Sequence, residues 1–340
     1  MAKLRYNYGG KQPGPASDSQ AGSKRRLFLF VLLLIIAALA VYLLKRNSGE
    51  ETPPKVATNP AAETGTVEAP PAGETPDSEP EQPMPGPPAI PPEVAAELAA
   101  VRSLLEQGEY VQVREKITAL LQDRRITEAD PAWRECVELL SAANTKILFT
   151  DVPFPAKKAV YIVEPNDSLD KIARQFQTTI EAIQIANKLD LNSSHIRIGQ
   201  KFRIYQGAWR LLVSKSKSLL YVYDGDELFK IYDIGVGRQN RTPTGDFRVT
   251  AKIKEPPWYA PDGRVIPFGD PENILGTRWL DLKPTGETDA TLTGYGIHGT
   301  WEKDSEITKP LSNGCIRMRN QDVEELFNIL PHQVPVKIEE

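Results

Sequence analysis

One unbroken apolar run restricts what the start of this chain can form. Residues 27–44 contain 18 consecutive apolar side chains, and Lys24, Arg25 and Arg26 come directly before them. As a helix this run reaches about 27 Å, close to the thickness of a bilayer's hydrocarbon core. Because positive charge concentrates before the run, we expect the N-terminus in the cytoplasm and the rest of the chain outside.

A cleaved signal peptide is the alternative for this run. Its apolar region is usually about 7–15 residues long and ends at small residues. Here Ala38-Leu39-Ala40 lies inside the run, and four more apolar residues follow. We therefore predict a cytoplasmic tail (residues 1–26) and an uncleaved transmembrane helix (residues 27–44). The chain would cross the cytoplasmic, or inner, membrane once, with its later part outside, in the periplasm or cell wall.

The segment after the anchor is rich in proline and acid. Residues 47–92 hold 13 prolines and eight acidic residues. Few large apolar side chains are present to offset the entropy of ordering, so the segment should be a disordered linker. As a flexible coil it would span roughly 40 Å, which lets an anchored domain work away from the membrane.

Residues 93–149 show helical periodicity. Val94, Leu98, Val101 and Leu105 repeat at helical spacing, and Gly108 can end that helix. Further apolar repeats follow, and Asp130-Pro131 suggests the start of a later helix. The pattern predicts a helical hairpin similar to a tetratricopeptide unit. It is a candidate surface for a protein partner or acceptor, or a spacer.

Charge and cysteine content exclude several function classes. The net charge is −4, which gives no indication of nucleic-acid binding. The two cysteines, Cys136 and Cys315, form no disulfide framework, and no His/Cys cluster has metal-ligand spacing. We therefore predict neither a metal nor an organic cofactor. Cys136 lies on the apolar face of a predicted helix, where a small buried side chain is expected.

Residues 159–205 read as strand, helix, helix, strand. Val160–Val163 and Lys201–Tyr205 are the strands, Asp167 is a candidate cap for the first helix, and Thr178 with Glu181 forms a capping box for the second. The segment resembles the LysM family. The matching residues are Tyr161–Leu169, Ile172-Ala173, Phe176, Thr178-Thr179, Asn187 and Ile198-Gly199-Gln200.

The LysM resemblance implies binding to glycans that contain N-acetylglucosamine, such as peptidoglycan strands. It places the groove between the loop of Asn166, Asp167 and Ser168 and the loop from Leu189 to Ile196. Asn166 stands where the family usually has glycine, and asparagine tolerates the positive φ that this turn needs. For Asp167, helix capping and glycan binding are equal alternatives.

Residues 208–339 are rich in strand patterns. Leu219–Tyr223 and Leu228–Val236 flank the turn signal Asp224-Gly225. One helix is expected over Gln321–Ile329, with Asn320 as its cap. The whole chain is therefore predicted to be a multidomain α+β protein that ends in a mainly-β domain.

The strongest chemical signal in this domain is a cysteine downstream of a histidine. Cys315 follows Gly314, precedes Arg317 by two positions, and lies 17 residues after His298. An imidazole can take the proton of a thiol and leave a reactive thiolate. Gly314 permits a tight backbone whose amides face an oxyanion. Arg317 could pair with the thiolate or with a substrate carboxylate.

The alternative is that Cys315 is a small core residue. Its neighbours Asn313, Gly314 and Arg317 are polar, flexible and charged, which is a poor setting for a buried cysteine. From chemistry alone a reactive pair and an ordinary cysteine are about equally favoured.

The same region resembles the L,D-transpeptidase catalytic domain, also called YkuD. Three motifs carry the resemblance, in family order: Thr242-Pro243-Thr244-Gly245-x-Phe247, Gly296–Thr300, and Ser312-x-Gly314-Cys315-Ile316-Arg317-Met318-x-Asn320. It implies Cys315 as nucleophile, His298 as general base and then acid, and the Gly299 carbonyl as the group that orients the histidine. Many members have histidine where this chain has Asn313. The polar residues around the pair, Ser312, Asn313, Tyr295 and Asn320, are predicted to bind substrate.

The resemblance also implies a reaction. The thiolate attacks the third residue of a peptidoglycan stem peptide, D-alanine leaves, and an amine takes the acyl group to form a cross-link or a protein attachment. Water as acceptor would make the enzyme an L,D-carboxypeptidase. An inactive wall-binding scaffold is the third alternative, although Cys315, His298 and Arg317 are all retained.

Overall fold

The structure is a computed structural model that describes residues 90–340. The predicted cytoplasmic tail, transmembrane helix and nearly all of the linker lie outside these residues. Within residues 90–340, each helix is too short or too polar to span a bilayer.

Three helices open the described part: α1 (Pro92–Glu106), α2 (Tyr110–Gln122) and α3 (Trp133–Phe149). In α1 the residues buried against the other helices are Val94, Leu98 and Val101, as their spacing predicts. Gly108 has φ +80°, and Glu109 N–H donates to Leu104 O across the helix end. This is the left-handed glycine end that the sequence predicts.

Two predicted boundaries of this segment are wrong. Helix α1 begins at Pro92, inside the segment assigned to the linker, because proline fits the first turn of a helix. Asp130 does not cap α3, which begins at Trp133. Its carboxylate instead accepts hydrogen bonds from Thr127 N and Oγ1, at 2.6 and 2.7 Å, and closes the preceding turn.

The next unit has the predicted order of elements: β1 (Lys158–Ile162), α4 (Leu169–Gln175), α5 (Ile180–Ala186) and β2 (Lys201–Tyr205). The two strands pair antiparallel. The helix caps are shifted by one residue from prediction. Ser168, not Asp167, caps α4 by accepting from Lys171 N, and Thr179, not Thr178, caps α5 by accepting from Ala182 N.

The remaining residues form an eight-stranded sheet with the spatial order β11-β10-β9-β6-β12-β3-β4-β5. Strands β12 and β3 are parallel, as are β10 and β11, and the other neighbours are antiparallel. A separate hairpin, β7 (Trp258–Tyr259) with β8 (Val265–Ile266), precedes β9. The strands of the large sheet are β3 (Trp209–Ser214), β4 (Leu219–Asp224), β5 (Glu227–Asp233), β6 (Gly245–Lys254), β9 (Arg278–Pro284), β10 (Tyr295–His298), β11 (Ile316–Arg317) and β12 (Pro335–Glu339).

Strand β4 is buried on both faces. Leu220 and Val222 belong to the main core, together with Leu326 of helix α6 (Asn320–Ile329), whereas Leu219 and Tyr221 belong to a second cluster with residues of α3. Burial on both sides explains why the strand reads as a continuous apolar run rather than an alternating one. The three-helix segment therefore packs directly on the eight-stranded sheet.

Candidate active site

The register of two short parallel strands positions the thiol and the imidazole. In the β10–β11 pair, Ile297 lies opposite Ile316 and His298 lies opposite Arg317. Side chains alternate along a strand, so Cys315, which precedes Ile316, shares the face of His298. Consistent with this, Cys315 Sγ lies 3.6 Å from Gly294 O, and the Gly296 backbone also contacts the thiol. The structure thus places Cys315 directly before β11, beside the strand that carries His298.

His298 is buried and held on two sides. Its Nδ1 lies 2.6 Å from Gly299 O, and its ring stacks on Trp279, its register partner on β9, with centroids 5.9 Å apart. Burial lowers the pKa of His298 to about 4, and the positive charge of Arg317 acts in the same direction. The backbone carbonyls of Gly299 and Leu275 only partly oppose this. The imidazole is therefore neutral at neutral pH and able to accept a proton.

Cys315 is partly buried, and burial raises the pKa of its thiol, although the Gly296 backbone acts in the opposite direction. The resting pair is therefore a neutral thiol beside a neutral imidazole. Such a pair needs proton transfer to the ring before or during nucleophilic attack.

A tight turn presents Cys315. Ser312 Oγ donates to Cys315 O at 2.6 Å and accepts from Gly314 N at 3.2 Å. Gly314 has φ +133°, and a Cβ there would lie 2.7 Å from the ring of Tyr295. Both the backbone angle and the close ring require glycine at this position. The Gly314 prediction of a tight backbone is confirmed.

Thr242 fixes this turn from another part of the chain. It is buried; its hydroxyl donates to Gly314 O at 2.9 Å and accepts from Gly237 N at 2.8 Å. The sequence identifies Thr242 only as part of the Thr242–Phe247 motif and does not reveal this contact. The signal available was a threonine within a Pro/Gly-rich turn, but its partner lies 72 positions away.

Arg317 does not serve as an exposed receptor for a substrate carboxylate, which corrects one of its predicted roles. Its side chain is only 4% exposed, forms an ion pair with Glu302 and donates to Lys309 O. Burial lowers its pKa. Gly235 leaves space for the guanidinium, because a Cβ there would lie 2.6 Å from Arg317 Nη2.

Of the four substrate-binding residues predicted in this region, three make internal contacts and one is exposed. Ser312 and Tyr295 shape the cysteine turn. Asn320 does not cap α6, because the cap position is Arg319. The Oδ1 of Asn320 instead accepts a hydrogen bond from Thr277 N at 3.1 Å and lies against Gly299. Only Asn313 is exposed, with Oδ1 accepting from two arginines.

In the βααβ unit, two of the three predicted glycan-binding side chains have internal partners. Asp167 accepts from Glu164 N at 2.8 Å and Tyr161 OH at 2.7 Å, and these bonds lower its pKa. The Ser168 hydroxyl caps α4, whereas Asn166 is exposed and has φ +68°, the positive angle that the sequence predicts. An open cleft of about 570 Å³ borders the second predicted loop; it is lined by His195, Arg197, Ile198, Gly199 and Gln200.

Within residues 90–340 no group of three or more His, Cys, Asp or Glu side chains is arranged to hold a metal ion.

Comparison with known proteins identifies the class of both parts. Residues 208–338 match the model of the L,D-transpeptidase catalytic domain, and residues 161–204 match the model of the LysM domain.

Curated relatives match about half of this chain over nearly their own full length. A putative L,D-transpeptidase YkuD from Bacillus licheniformis is 35% identical over 187 residues, which cover 53% of this chain and 98% of that protein. Its counterpart from Bacillus subtilis is 31% identical over 185 residues, which cover 52% of this chain and 97% of that protein. The chain belongs to the L,D-transpeptidase family of the YkuD type and carries a LysM peptidoglycan-binding domain.

Solved structures include L,D-transpeptidase 3 from Mycobacterium tuberculosis in complex with a faropenem-derived adduct. It is 20% identical, with a TM-score of 0.32, and the match covers 42% of this chain and 66% of that one.

Proposed function

We propose that the protein is a membrane-anchored L,D-transpeptidase that acts on peptidoglycan stem peptides through a thioester on Cys315. The observation that carries the proposal is that Cys315 directly precedes β11 and lies against the start of β10, the parallel neighbour that carries His298. The neutral imidazole of His298 is the acceptor for the thiol proton.

The reaction proceeds in two balanced steps. His298 removes the proton of Cys315, and the sulfur attacks the carbonyl carbon of the third stem residue. The tetrahedral intermediate collapses, the C–N bond to D-alanine breaks, and the imidazolium returns its proton to the leaving amine. An acceptor amine then attacks the thioester, the imidazole takes its proton, and the released thiolate recovers that proton.

The backbone supports this chemistry in two places. The backbone amide of Cys315 is the proposed donor to the oxyanion, the role such donors have in acyl transfer, whereas the Gly314 amide is used by Ser312 Oγ. The carbonyl of Gly299, 2.6 Å from Nδ1, holds the imidazole ring in orientation and stabilises the imidazolium.

The other parts of the chain bring the enzyme to its substrate. The LysM domain binds glycan strands and raises the local concentration of stem peptides. The apolar run at residues 27–44 anchors the chain in the inner membrane, with the catalytic domain outside. The segment 93–149 remains a candidate docking surface for a protein acceptor on the face that does not pack on the sheet.

The test is incubation of the full-length chain in detergent with muropeptides that carry tetrapeptide stems. Cross-linked dimers with release of D-alanine support the transpeptidase. Tripeptide without dimer indicates the carboxypeptidase, and unchanged substrate indicates a non-catalytic scaffold.

Two cysteine variants locate the nucleophile. Cys315→Ala should keep glycan binding and lose turnover and the thioester mass adduct. Cys136→Ala is the matched control: that thiol is fully buried, and burial raises its pKa to about 11, so activity should be unchanged. Residual turnover in Cys315→Ala would place the nucleophile elsewhere.

A further inference from the structure

Two exposed guanidinium groups border the cysteine turn. Arg238 and Arg241 direct their side chains to the same neutral atom, Asn313 Oδ1, at 2.8 and 3.5 Å. Arg241 also donates to Gln239 Oε1 at 3.2 Å. Within residues 90–340 neither arginine has a carboxylate partner. Two positive charges thus share one uncharged acceptor, which leaves most of their donors available.

The acidic group that does contact this loop has another partner. Glu340 pairs with Lys215 at 2.7 Å and accepts from Asn240 Nδ2 at 3.4 Å. Neither guanidinium of the arginine pair is neutralised by it.

The loop that carries the arginines is fastened to the cysteine turn. Arg238 N donates to Ser312 O at 3.0 Å, and Gly237 pairs with Ser312 as an isolated bridge. The buried hydroxyl of Thr242 joins Gly237 N to Gly314 O. These bonds hold the guanidinium pair beside Asn313, two residues before Cys315.

A carboxylate is the ligand that this arrangement fits best. The planar guanidinium donates two parallel hydrogen bonds to a carboxylate, and such bonds are stronger than those to an amide oxygen. The buried Arg317, which the sequence suggested for this role, is already paired with Glu302. Arg238 and Arg241, beside the cysteine turn, have no carboxylate partner within residues 90–340 and can take this role.

We propose that Arg238 and Arg241 bind a free carboxylate of the donor stem peptide and determine the specificity of the Cys315 site for it; this rests on the proposed function. The carboxylate is either the one at the C-terminus of the stem or the one on the side chain of its third residue. Both present the same chemistry to the arginine pair.

Binding is measured apart from turnover, on the full-length Cys315→Ala protein in detergent. The probes are four glycan-free tetrapeptides: free acid or C-terminal amide, each with diaminopimelate or lysine as third residue. The dissociation constant of each is measured by calorimetry with Arg238 and Arg241 intact and with both changed to glutamine. Arg248→Gln, an exposed arginine on β6, is the control.

With the arginines intact, the tetrapeptide that carries the recognised carboxylate should bind about 10-fold more tightly than the matching peptide without it. This ratio corresponds to about 1.4 kcal/mol. The double variant should lose this preference, and Arg248→Gln should keep it. Loss of the acid-over-amide preference assigns the C-terminal carboxylate, whereas loss of the diaminopimelate-over-lysine preference assigns the side chain.

Asn313→Asp gives a second test without removing a cation. The new carboxylate would occupy both guanidiniums, so binding of the preferred acid should weaken about 10-fold while binding of its uncharged analogue is unchanged. The inference is overturned if the preference for the carboxylate peptide survives in the double variant. It is also overturned if the protein with both arginines intact shows no such preference. Turnover of the same peptides by the chain with Cys315 intact tests the proposed function separately.

Discussion

Nδ1 of His298 lies 2.6 Å from the carbonyl oxygen of Gly299, the next residue along the chain. A carbonyl only accepts hydrogen bonds, so this contact assigns the proton of the neutral ring to Nδ1. The lone pair then remains on Nε2, so Nε2 is the nitrogen able to act as a base. The backbone next to the histidine thus determines which nitrogen acts as the base.

The low pKa of His298 predicts the acid limit of the reaction. Burial moves this pKa from 6.5 to about 4, and the base works only when neutral. The acid limb of kcat/KM should therefore lie near pH 4 rather than near pH 6.5. A pH profile from pH 4 to 8 with a tetrapeptide donor checks this. An acid limb centred near 6.5 would contradict the buried, neutral imidazole.

The same histidine should make stability depend on pH. Between pH 6.5 and about 4 the unfolded chain binds a proton at residue 298 that the folded chain does not. The contribution is complete above pH 6.5 and is lost as the pH falls toward 4, by up to about 3 kcal/mol. Urea unfolding of His298→Gln should show a smaller loss between pH 7 and 4.5. Gln321→Ala, at an exposed residue that does not titrate, should keep the wild-type slope.

The elements most readily predicted from the sequence are those held by local contacts. The spacing of Val94, Leu98 and Val101 predicts a helix because neighbours along the chain create its buried face. The sequence predicts a reactive Cys315–His298 pair from the polar, glycine-containing surroundings of Cys315 and from the family resemblance, and its reactivity stays a prediction. Strand β11 was missed because it is two residues long, too short for any periodicity.

Features that depend on distant parts of the chain were mispredicted or missed. Arg317 is buried because Gly235, far away in sequence, leaves room for its guanidinium and Glu302 pairs with it. The contact of Thr242 was missed for the same reason, because its hydroxyl donates to Gly314 O, 72 positions along the chain. No local pattern reveals such partners, which only the folded chain brings together.

Asn320 is expected to act as a positioning residue. Its Oδ1 accepts from Thr277 N at 3.1 Å, and a Cβ on Gly299 would lie 2.1 Å from the same oxygen. Removing this support should displace the His298–Gly299 turn, so Asn320→Ala should lower kcat about 10-fold with KM nearly unchanged. Asn320→Asp, which keeps the acceptor, should restore most of the activity. Equal losses in both variants, or a loss in exposed Gln321→Ala, would indicate a general structural effect.

Asp224 connects the LysM domain to the catalytic sheet. It is 2% exposed and accepts from Tyr205 OH, Ala208 N and Lys157 Nζ at 2.8, 2.8 and 3.0 Å. Asp224→Ala should lower the free energy of unfolding by about 3 kcal/mol, since buried donors lose their acceptor. Asp226→Ala, an exposed change in the same turn, should stay within about 0.5 kcal/mol of wild type. Matching effects in the two variants would refute this connection.

Arg114 holds the three-helix segment to the catalytic domain. Its guanidinium is almost fully buried and donates to Asn144 Oδ1 and to Glu227 Oε2 on β5, both at 2.5 Å. Asn144 in turn donates to Phe229 O at 2.8 Å, so one network joins α2, α3 and β5. Arg114→Gln should therefore destabilise the catalytic domain by about 2–4 kcal/mol, although the residue belongs to another segment.

Lys116→Gln removes one positive charge from an exposed position on the same helix and is the matched control. Hydrogen exchange should report the difference, because a weakened junction exposes the amides of β5 as well as those of α2 and α3. If only the helices lose protection in Arg114→Gln, the segment is an independent spacer. If β5 loses protection with them, the helices and the sheet unfold as one unit.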